Sequence, residues 1–412
     1  MNDTKLYEQI LGLEPPWTVR AVTLKQEDGV IEVEVKCAET VWGCPACGER
    51  MHVHGWERRR WRHLDSCQFK TMVVADIPRV KCATHGTQMV RVPWSEARSR
   101  FTMWFERLAI DVLLECSIQG ACDILRISWD EADGIKQRAI ERGLARKSAE
   151  APRRVCVDEK AVGHGQDYVT IVAKVEAGRS ATVEYVGDGR EEASLDGYWQ
   201  RLTPEQRANI EAVGMDMWEP YLNSTQTHVP AAAQKIVHDP FHVARHVQVA
   251  LNDVRKQEHL ELHRRGDDTL KGTKRLWLYG QENLPSAHAE AFEQLKGQKL
   301  RTSRAWAMKE MFRDFWKCEN VPTAEEFFAA WYGWAVRSRL RPMLKVARMI
   351  KTHLANILTY FRHRLSNAAV EGLNNLIQGL IKKAYGYRNR ERFKRDVLFH
   401  AGGLNLHPRI AQ

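Results

Sequence analysis

Three acidic residues and one cysteine-histidine set stand out as groups whose type and setting could do chemistry. Asp158 follows the apolar run Val155-Cys156-Val157, Asp216 ends the apolar stretch IEAVGM, and Glu371 sits among amides in SNAAVEGLNN. Carboxylates that converge in a water-accessible crevice repel one another and hold protons more tightly unless hard cations neutralise them. Mg²⁺ or Mn²⁺ suits oxygen ligands of this kind and keeps positions open for water and phosphate. Two such ions about 4 Å apart would activate an attacking oxygen and stabilise the leaving one at a phosphodiester. The second set serves another purpose. Cys44-Pro-Ala-Cys47 and Cys82-Ala-Thr-His85 share one spacing, and two such pairs bring four ligands to one tetrahedral, structural Zn²⁺. Cys37, Cys67, His52 and His54 are rival ligands in the same stretch.

The acids can act together only if their elements are neighbours. RRVCVDEKAVG predicts a short buried strand from which Asp158 emerges, and YVTIVAKVEAG and SATVEYVGDG predict two more, separated by a turn around Gly178. A helix over 191–202, a strand ending at Asp216, a further helix, and a brief strand in AQKIVHDPFH leading into a helix complete the series. Three strands in a meander, then helix, strand, helix, strand, is the order of a ribonuclease-H-like fold. With its first and fourth strands side by side and parallel, Asp158 and Asp216 would share one crevice. Glu371 comes from a later amphipathic helix: Val370, Leu373, Ile377, Leu380 and Ala384 form its apolar stripe, while Asn367, Glu371, Asn374, Asn375, Gln378 and Lys382 fall on another face. Residues 258–364 are helical in pattern and lack strand-like runs, so they make an all-helical insertion. Its indoles, Trp277, Trp306, Trp316, Trp331 and Trp334, would fill a helical core; stacking against a distorted DNA end is the alternative.

Upstream, Thr18–Lys36 predicts a hairpin turning at Asp28-Gly29. Between the metal-ligand pairs, Arg58, Arg59, Arg60 and Arg62 surround Trp61, either to grip phosphates or as a solvated loop. Phe101, Phe105, Leu108 and Val112 mark one helix, and SIQGACDILRISWDEADGIKQRAIERGL then resembles a helix-turn-helix, with an ordinary helical pair as the alternative. Ser128 would cap its second helix, which carries Lys136, Gln137, Arg138 and Arg142 for groove or phosphate contact. The architecture is therefore multidomain α+β: a zinc-binding module at 1–92, a helix-turn-helix at 93–150, an α/β core at 151–257, the insertion at 258–364, and the rest of the core with a basic end at 365–412.

Charge and composition select the partner. A formal charge of +10 over 412 residues favours an acidic ligand, and nucleic acid fits best. Cations gather late in the chain: Lys382, Lys383, Arg388, Arg390, Arg392, Lys394 and Arg395, preceded by Arg341, Lys345, Arg348, Lys351, Arg362 and Arg364. Such rows suit phosphates better than bases. No run of about 18 apolar residues points to a membrane. The N-terminus shows no signal pattern, and five of the nine cysteines lie between Cys37 and Cys82, so a reducing, cytoplasmic setting with metal-bound thiols is expected.

The ordered set CPAC, RVKCATHG, VDEKAVG, DMWEPY, DPFHV, SNAAVEGLNN and KKAYGYRN resembles the bacterial insertion-sequence DDE transposases of the ISL-three family over nearly the whole chain. The resemblance implies that Asp158, Asp216 and Glu371 are a metal-binding triad holding two Mg²⁺ or Mn²⁺ per active site. It also implies double-stranded DNA as partner, both element ends and target, with a homodimer in the synaptic complex near the nucleoid. His85 stands where the family pattern has cysteine, which a three-cysteine, one-histidine zinc site accommodates. Asp239 and His242 resemble the Asp-x-x-His pair after the second catalytic acid in several transposase groups, as a site-holding pair or, alternatively, a helix cap. Tyr387, Arg388 and Lys394 resemble a cluster that contacts terminal-strand phosphates, and His164 is left as a loop residue. A related nuclease without transposition, or a DNA-binding regulator with an inert core, are the competing functions.

Overall fold

The computed structural model describes residues 2–148, 150–163, 167–176 and 181–410; His164 and the turn around Gly178 lie outside them. Two compact units form, Met1–Lys147 with Leu404–Gln412, and Ser148–Gly403.

The first unit begins with helix α1 (Asp3–Leu11), which the sequence pattern did not announce, and continues through β1 (Trp17–Lys25), β2 (Val30–Cys37), β3 (Val41–Gly43), β4 (Arg50–Ser66), β5 (Phe69–Cys82) and β6 (Gly86–Met89). The expected hairpin joins β1 to β2, and Gly29 supplies the positive φ of +64° that its turn requires. Strand order is β1-β2-β5-β4-β3 with β6 added beside β5. Alternation along β4 decides which side chains enter the core: Trp61 is buried, whereas Trp56, Arg58 and Arg60 face out. The arginine-rich stretch is thus a sheet strand and not a solvated loop. Trp94 meets Trp17 and Trp61 edge to face at 5.0 and 5.4 Å, which anchors this core.

Helices α2 (Met103–Glu115), α3 (Ile118–Leu125) and α4 (Trp129–Ala145) follow. Thr102, Ser117 and Ser128 cap them, the last in a reciprocal capping box with Glu131. Residues beyond Leu404 return to this unit, so the C-terminal end does not stay with the α/β core as expected. Arg146 holds it through the His407 carbonyl at 2.6 Å, and Gly143 is needed because a Cβ there would lie 2.7 Å from the Leu404 side chain.

The second unit contains β7 (Arg154–Ala161), β8 (Tyr168–Val175), β9 (Ala181–Asp188), α5 (Glu192–Trp199), α6 (Pro204–Ala208), β10 (Ala212–Met215), α7 (Glu219–His228), α8 (Ala232–Lys235), β11 (Ile236–His238) and α9 (Pro240–His263). Its sheet runs β11-β10-β7-β8-β9. β7, β8 and β9 are antiparallel, and β10 lies parallel to both β7 and β11. Both faces are covered, which explains the unbroken apolar runs. On one side Val155 and Val157 pack with Leu195, Trp199 and Tyr221; on the other Cys156 and Ile171 pack with Val370, Leu373 and Ile377.

A helical body is inserted before the last two helices: α10 (Lys274–Leu278), α11 (Ser286–Gly297), α12 (Arg301–Phe315), α13 (Val321–Arg337), α14 (Arg341–Thr352), α15 (Leu354–Leu358) and α16 (Tyr360–His363). Trp277, Trp306 and Trp331 are buried in its core, with Trp316 and Trp334 packed against it, so the indoles fill the interior and are not stacking platforms. That core also takes Val243, Val247 and Leu251 from α9, so the helical body starts well before residue 258. The chain then returns to the sheet through α17 (Ala368–Lys383) and α18 (Arg390–Ala401). Val370, Leu373, Ile377 and Leu380 form the buried stripe of α17; Ala384 is its exposed C-cap.

Candidate functional site

Strand pairing brings the first two acids to one level. Cys156 pairs with Gly214 on the parallel strands β7 and β10, and Asp158 and Asp216 each stand two residues beyond that pair. Gly214 is required by close approach: a Cβ there would lie 2.8 Å from the Cys156 sulfur and 3.1 Å from Asn367 Oδ1. The start of α17 can therefore rest against the sheet. Asn367 is in turn tied to α9, because its backbone N–H donates to Asp239 Oδ1 at 3.0 Å. Asp239 occupies the N-cap position of α9 without making a side-chain cap bond, so it clamps two helices together and is not a simple cap. One turn on, Glu371 N–H donates to the Asn367 carbonyl at 2.9 Å, which places Glu371 in the first turn of α17.

A crevice of about 390 Å³ results, lined by Asp158, Asp239, His242, Tyr360, Glu371 and Asn374 among others. Asp216 borders it through His242, whose Nδ1 lies 3.9 Å from Asp216 Oδ1. Asn374 donates to Asp158 Oδ2 at 2.6 Å. Burial pushes the Asp158 carboxyl up, and the Asp216 charge adds to this; the Glu159 N–H, the Asn374 amide and the His242 charge oppose it. Glu159 is also pushed up, by burial and by Asp158, with Arg190 opposing. His242 Nδ1, Asn374 Oδ1 and both polar side-chain atoms of Asn367 are buried without a hydrogen-bond partner. Buried polar atoms seldom stay unpaired, so their gathering at one crevice marks a binding place. The acids border it without closing into a tight cluster: among the described residues, only the zinc-type set brings three or more ligand atoms within 4.8 Å of one another.

Sequence reasoning placed Asn374 on the polar face of the helix without giving it a role in the site, and did not name Glu159. The signal for Asn374 was its position three residues after Glu371, on the same helical face.

The soft-ligand site is closed. Cys44, Cys47, Cys82 and His85 converge, with Cys47 Sγ to Cys82 Sγ at 3.8 Å, Cys82 Sγ to His85 Nδ1 at 3.5 Å and Cys44 Sγ to His85 Nδ1 at 4.0 Å. A zinc tetrahedron with Zn–S about 2.3 Å and Zn–N about 2.0 Å has edges of about 3.8 and 3.5 Å, so the four donors fit that ion. Cys37, Cys67, His52 and His54 stand outside this group.

The cations expected to meet DNA differ in their surroundings within each unit. Arg58 and Arg60 are exposed, and Arg59 lies over the Trp61 ring. Arg62 is 7% exposed, paired with Asp65 and stacked on Phe105, so it is a structural cation. On α4, Lys136 and Arg142 are buried; Arg142 is held by Glu96 at 2.5 Å and Glu106 at 2.9 Å, and Arg138 by Glu106 at 2.6 Å. Arg138 and Arg142 brace α4 against α2 through Glu106, Lys136 is buried, and the exposed residues of α4 include Asp130, Gln137 and Glu141. Near the C-terminus Lys382 and Arg388 are exposed, while Lys383 and Arg392 are half-buried. Tyr387 donates to Asp396 at 2.8 Å, and Lys394 is held by Asp188 at 2.7 Å and Glu391 at 2.9 Å, which ties α18 to β9.

Known proteins share this arrangement of parts. A transposase family model matches residues 155–397, more than half of the chain. The zinc-finger of transposase IS204/IS1001/IS1096/IS1165 matches residues 40–85, ending on the fourth ligand of the soft site, and the helix-turn-helix domain of transposase family ISL3 matches residues 90–139. The transposase for insertion sequence element IS1001 of Bordetella parapertussis is 25% identical over 399 residues, covering 95% of this chain and 97% of that one. The transposase for insertion sequence element IS1557 of Mycobacterium tuberculosis strain H37Rv is 25% identical over 451 residues, covering 100% of both. On the transposase, zinc-finger and helix-turn-helix matches together, the chain belongs to the ISL3 family of transposases.

Proposed function

We propose that the chain is a DDE-type transposase that binds the terminal inverted repeats of its element and cuts and joins DNA at the crevice bordered by Asp158, Asp216 and Glu371. The observation that carries this reading is the level placement of Asp158 and Asp216 on adjacent parallel strands, opposite the first turn of α17. The strand order supports a ribonuclease-H-like core, because the first and fourth strands of the series are neighbours and parallel.

The donor set suits a hard divalent cation: carboxylate oxygens with an unpartnered amide oxygen, Asn374 Oδ1, beside them. Asp158, Asp216 and Glu371 would hold Mg²⁺ or Mn²⁺, two per site, which when bound supply Lewis-acid stabilisation of phosphate oxygens. The protein's own groups do the rest. Asn374 donates to Asp158 Oδ2 and the Glu159 N–H to Oδ1 at 2.8 Å, which together orient the carboxylate, and Asp239 sets the start of α17 and hence Glu371. His242 stands beside Asp216 with a ring nitrogen available to a phosphate or water. Glu371 is exposed, so its side chain has the rotamer freedom to approach the strand acids. The zinc ribbon and helix-turn-helix supply recognition of the ends, and synapsis of two ends calls for a homodimer acting on the cytoplasmic nucleoid.

The test is a duplex bearing the element's own ends, incubated with the full chain and Mg²⁺ or Mn²⁺. Cut ends joined to a second duplex are expected. Cutting without joining would reduce the assignment to a nuclease, and binding without cutting would reduce it to a regulator.

A further inference from the structure

The exposed cations of this protein fall into two kinds. On the sheet of the first unit several have an acid near: Arg58 lies 3.5 Å from Glu34, Arg60 lies 3.6 Å from Glu32, and Arg79 lies 3.9 Å from Glu57. Helix α14 is different. Its sequence, RPMLKVARMIKT, contains no acid. Met343, Val346, Ala347 and Ile350 are buried, which turns Arg341, Lys345, Arg348 and Lys351 to solvent at helical spacing. Among the described residues, no ion pair engages Arg341, Lys345 or Arg348, and Lys351 lies over the Tyr332 ring at 4.7 Å.

This ridge borders a groove of about 700 Å³ between α14 and α9, whose walls include His246, Lys256, Arg341 and Lys345. One acid enters it, Asp253, and Lys256 neutralises that acid at 3.3 Å. The α9 wall is continuous with the crevice. His242 lines the crevice, and His246, Val249, Asp253 and Lys256 follow on the same helical face. From His242 to Lys256 the helix rises roughly 21 Å at about 1.5 Å per residue, the length of about six base pairs of duplex.

We infer that α14 and the facing side of α9 form a sequence-indifferent track for the backbone of duplex DNA that continues away from the scissile phosphate. Unopposed lysine and arginine at helical spacing match a row of phosphates and carry no base information. The salt dependence of binding to a duplex of unrelated sequence separates phosphate contact from base reading by Arg341, Arg348 or the groove amide Gln257. The placement of the scissile phosphate rests on the crevice reading above; the existence of the track does not.

The experiment uses the full chain with Arg341→Ala, Lys345→Ala and Arg348→Ala combined, beside a charge-keeping Arg341→Lys/Arg348→Lys variant, on an unrelated duplex without added divalent ions. All three side chains are exposed, and an unchanged thermal unfolding curve checks the fold. The slope of log affinity against log salt should fall by about 2.7, at about 0.9 for each phosphate no longer neutralised, with low-salt affinity down about 10- to 100-fold, and the charge-keeping variant should retain both. Trimming an end-bearing duplex to about two base pairs beyond the cleavage position should weaken the native chain and leave the triple variant unaffected. An unchanged slope and affinity in the triple variant would overturn the track. Indifference of the native chain to trimming would overturn its position along α9. Failure to cleave in Mg²⁺ with the slope change intact would overturn the crevice reading instead.

Discussion

The two units differ in what surrounds their ligand-type groups. In the first, the metal-type donors and a buried cation find partners inside the unit: three thiols close on one ring nitrogen, and buried Arg142 is held by two carboxylates. In the second, the groups around the crevice are left short of partners, with His242, Asn367 and Asn374 all presenting buried unpaired atoms, and the α14 cations face solvent unopposed. Matched groups hold a shape and unmatched ones await a ligand. The closed donor set thus holds the shape of the first unit, and the crevice of the second is the place left open for a ligand.

Breaking the match in the first unit should cost most. A structural zinc site contributes on the order of 10 kcal/mol in small zinc domains. Cys47→Ser or Cys82→Ser should reduce bound zinc from one per chain to near none and unfold the ribbon, measured by metal analysis and calorimetry of the full chain. His85→Cys should keep the zinc, because thiolate serves the same tetrahedron. Retained zinc in both serine variants would show that the four ligands are not the site.

Removing charge at the crevice should cost somewhat less and leave folding intact. Asp158→Asn, Asp216→Asn and Glu371→Gln should each lower metal-dependent strand cleavage by about three orders of magnitude, or about 4 kcal/mol in the barrier. Zinc content should stay at one per chain. Native-level cleavage in any of the three would remove that residue from the site. The contrast with the first unit is sharpest here, since isosteric amides leave packing unchanged.

Much of this contrast was legible in the sequence, and the reasons differ between the units. The zinc pairs announce themselves because each pair is local, and the hairpin because Asp28-Gly29 is a strong turn signal, although the loop closes over the four residues 26–29 between Lys25 and Val30. The strand acids were legible because an apolar run that ends in aspartate has a buried body and a wet tip. What could not be seen were long-range matches. Arg62 and Arg142 look like DNA-binding cations until Asp65, Glu96 and Glu106 are brought to them by the fold. The bond from Asn374 to Asp158 spans 216 residues, so no local pattern contains it. The boundary of the insertion was hidden because α9 runs unbroken from the crevice into the helical core. The return of the last residues to the first unit had no periodic signal at all.

Acid offers a way to load both units at once. His63 in the first is 2% exposed, bonded to Thr102 at 2.8 Å, and pushed down to about 4 by burial and by Arg62. His238 in the second is fully buried and is pushed down to about 4, chiefly by burial. The unfolded value is about 6.5, so between about 6.5 and 4 the unfolded chain binds protons that the folded chain refuses. Stability is therefore complete above about 6.5 and falls as pH drops, by up to about 3 kcal/mol per histidine. Calorimetry from pH 7 to 5 should show both units weakening. His63→Gln should flatten the first unit's pH dependence and leave the second's unchanged; equal slopes in native and variant chains would show that His63 is not the titrating group.

The smallest effect should come from the sheet face, where Arg58 and Arg60 already have acids beside them. Arg58 is exposed, and its partners Glu34 and Asp76 lie at 3.5 and 3.6 Å; Arg60 is likewise exposed opposite Glu32. Exposed pairs of this kind contribute about 0 to 1 kcal/mol and are screened by salt. The Arg58→Ala/Arg60→Ala double variant should therefore change unfolding stability by less than about 1 kcal/mol. Its effect on the salt dependence of DNA affinity should be smaller than that of removing three cations from α14, because a guanidinium beside a carboxylate offers a phosphate little net field. If the sheet variant instead gave up as much salt dependence as the α14 variant, the pairing seen on this face would not hold against DNA, and the first unit would have to count as a second gripping surface.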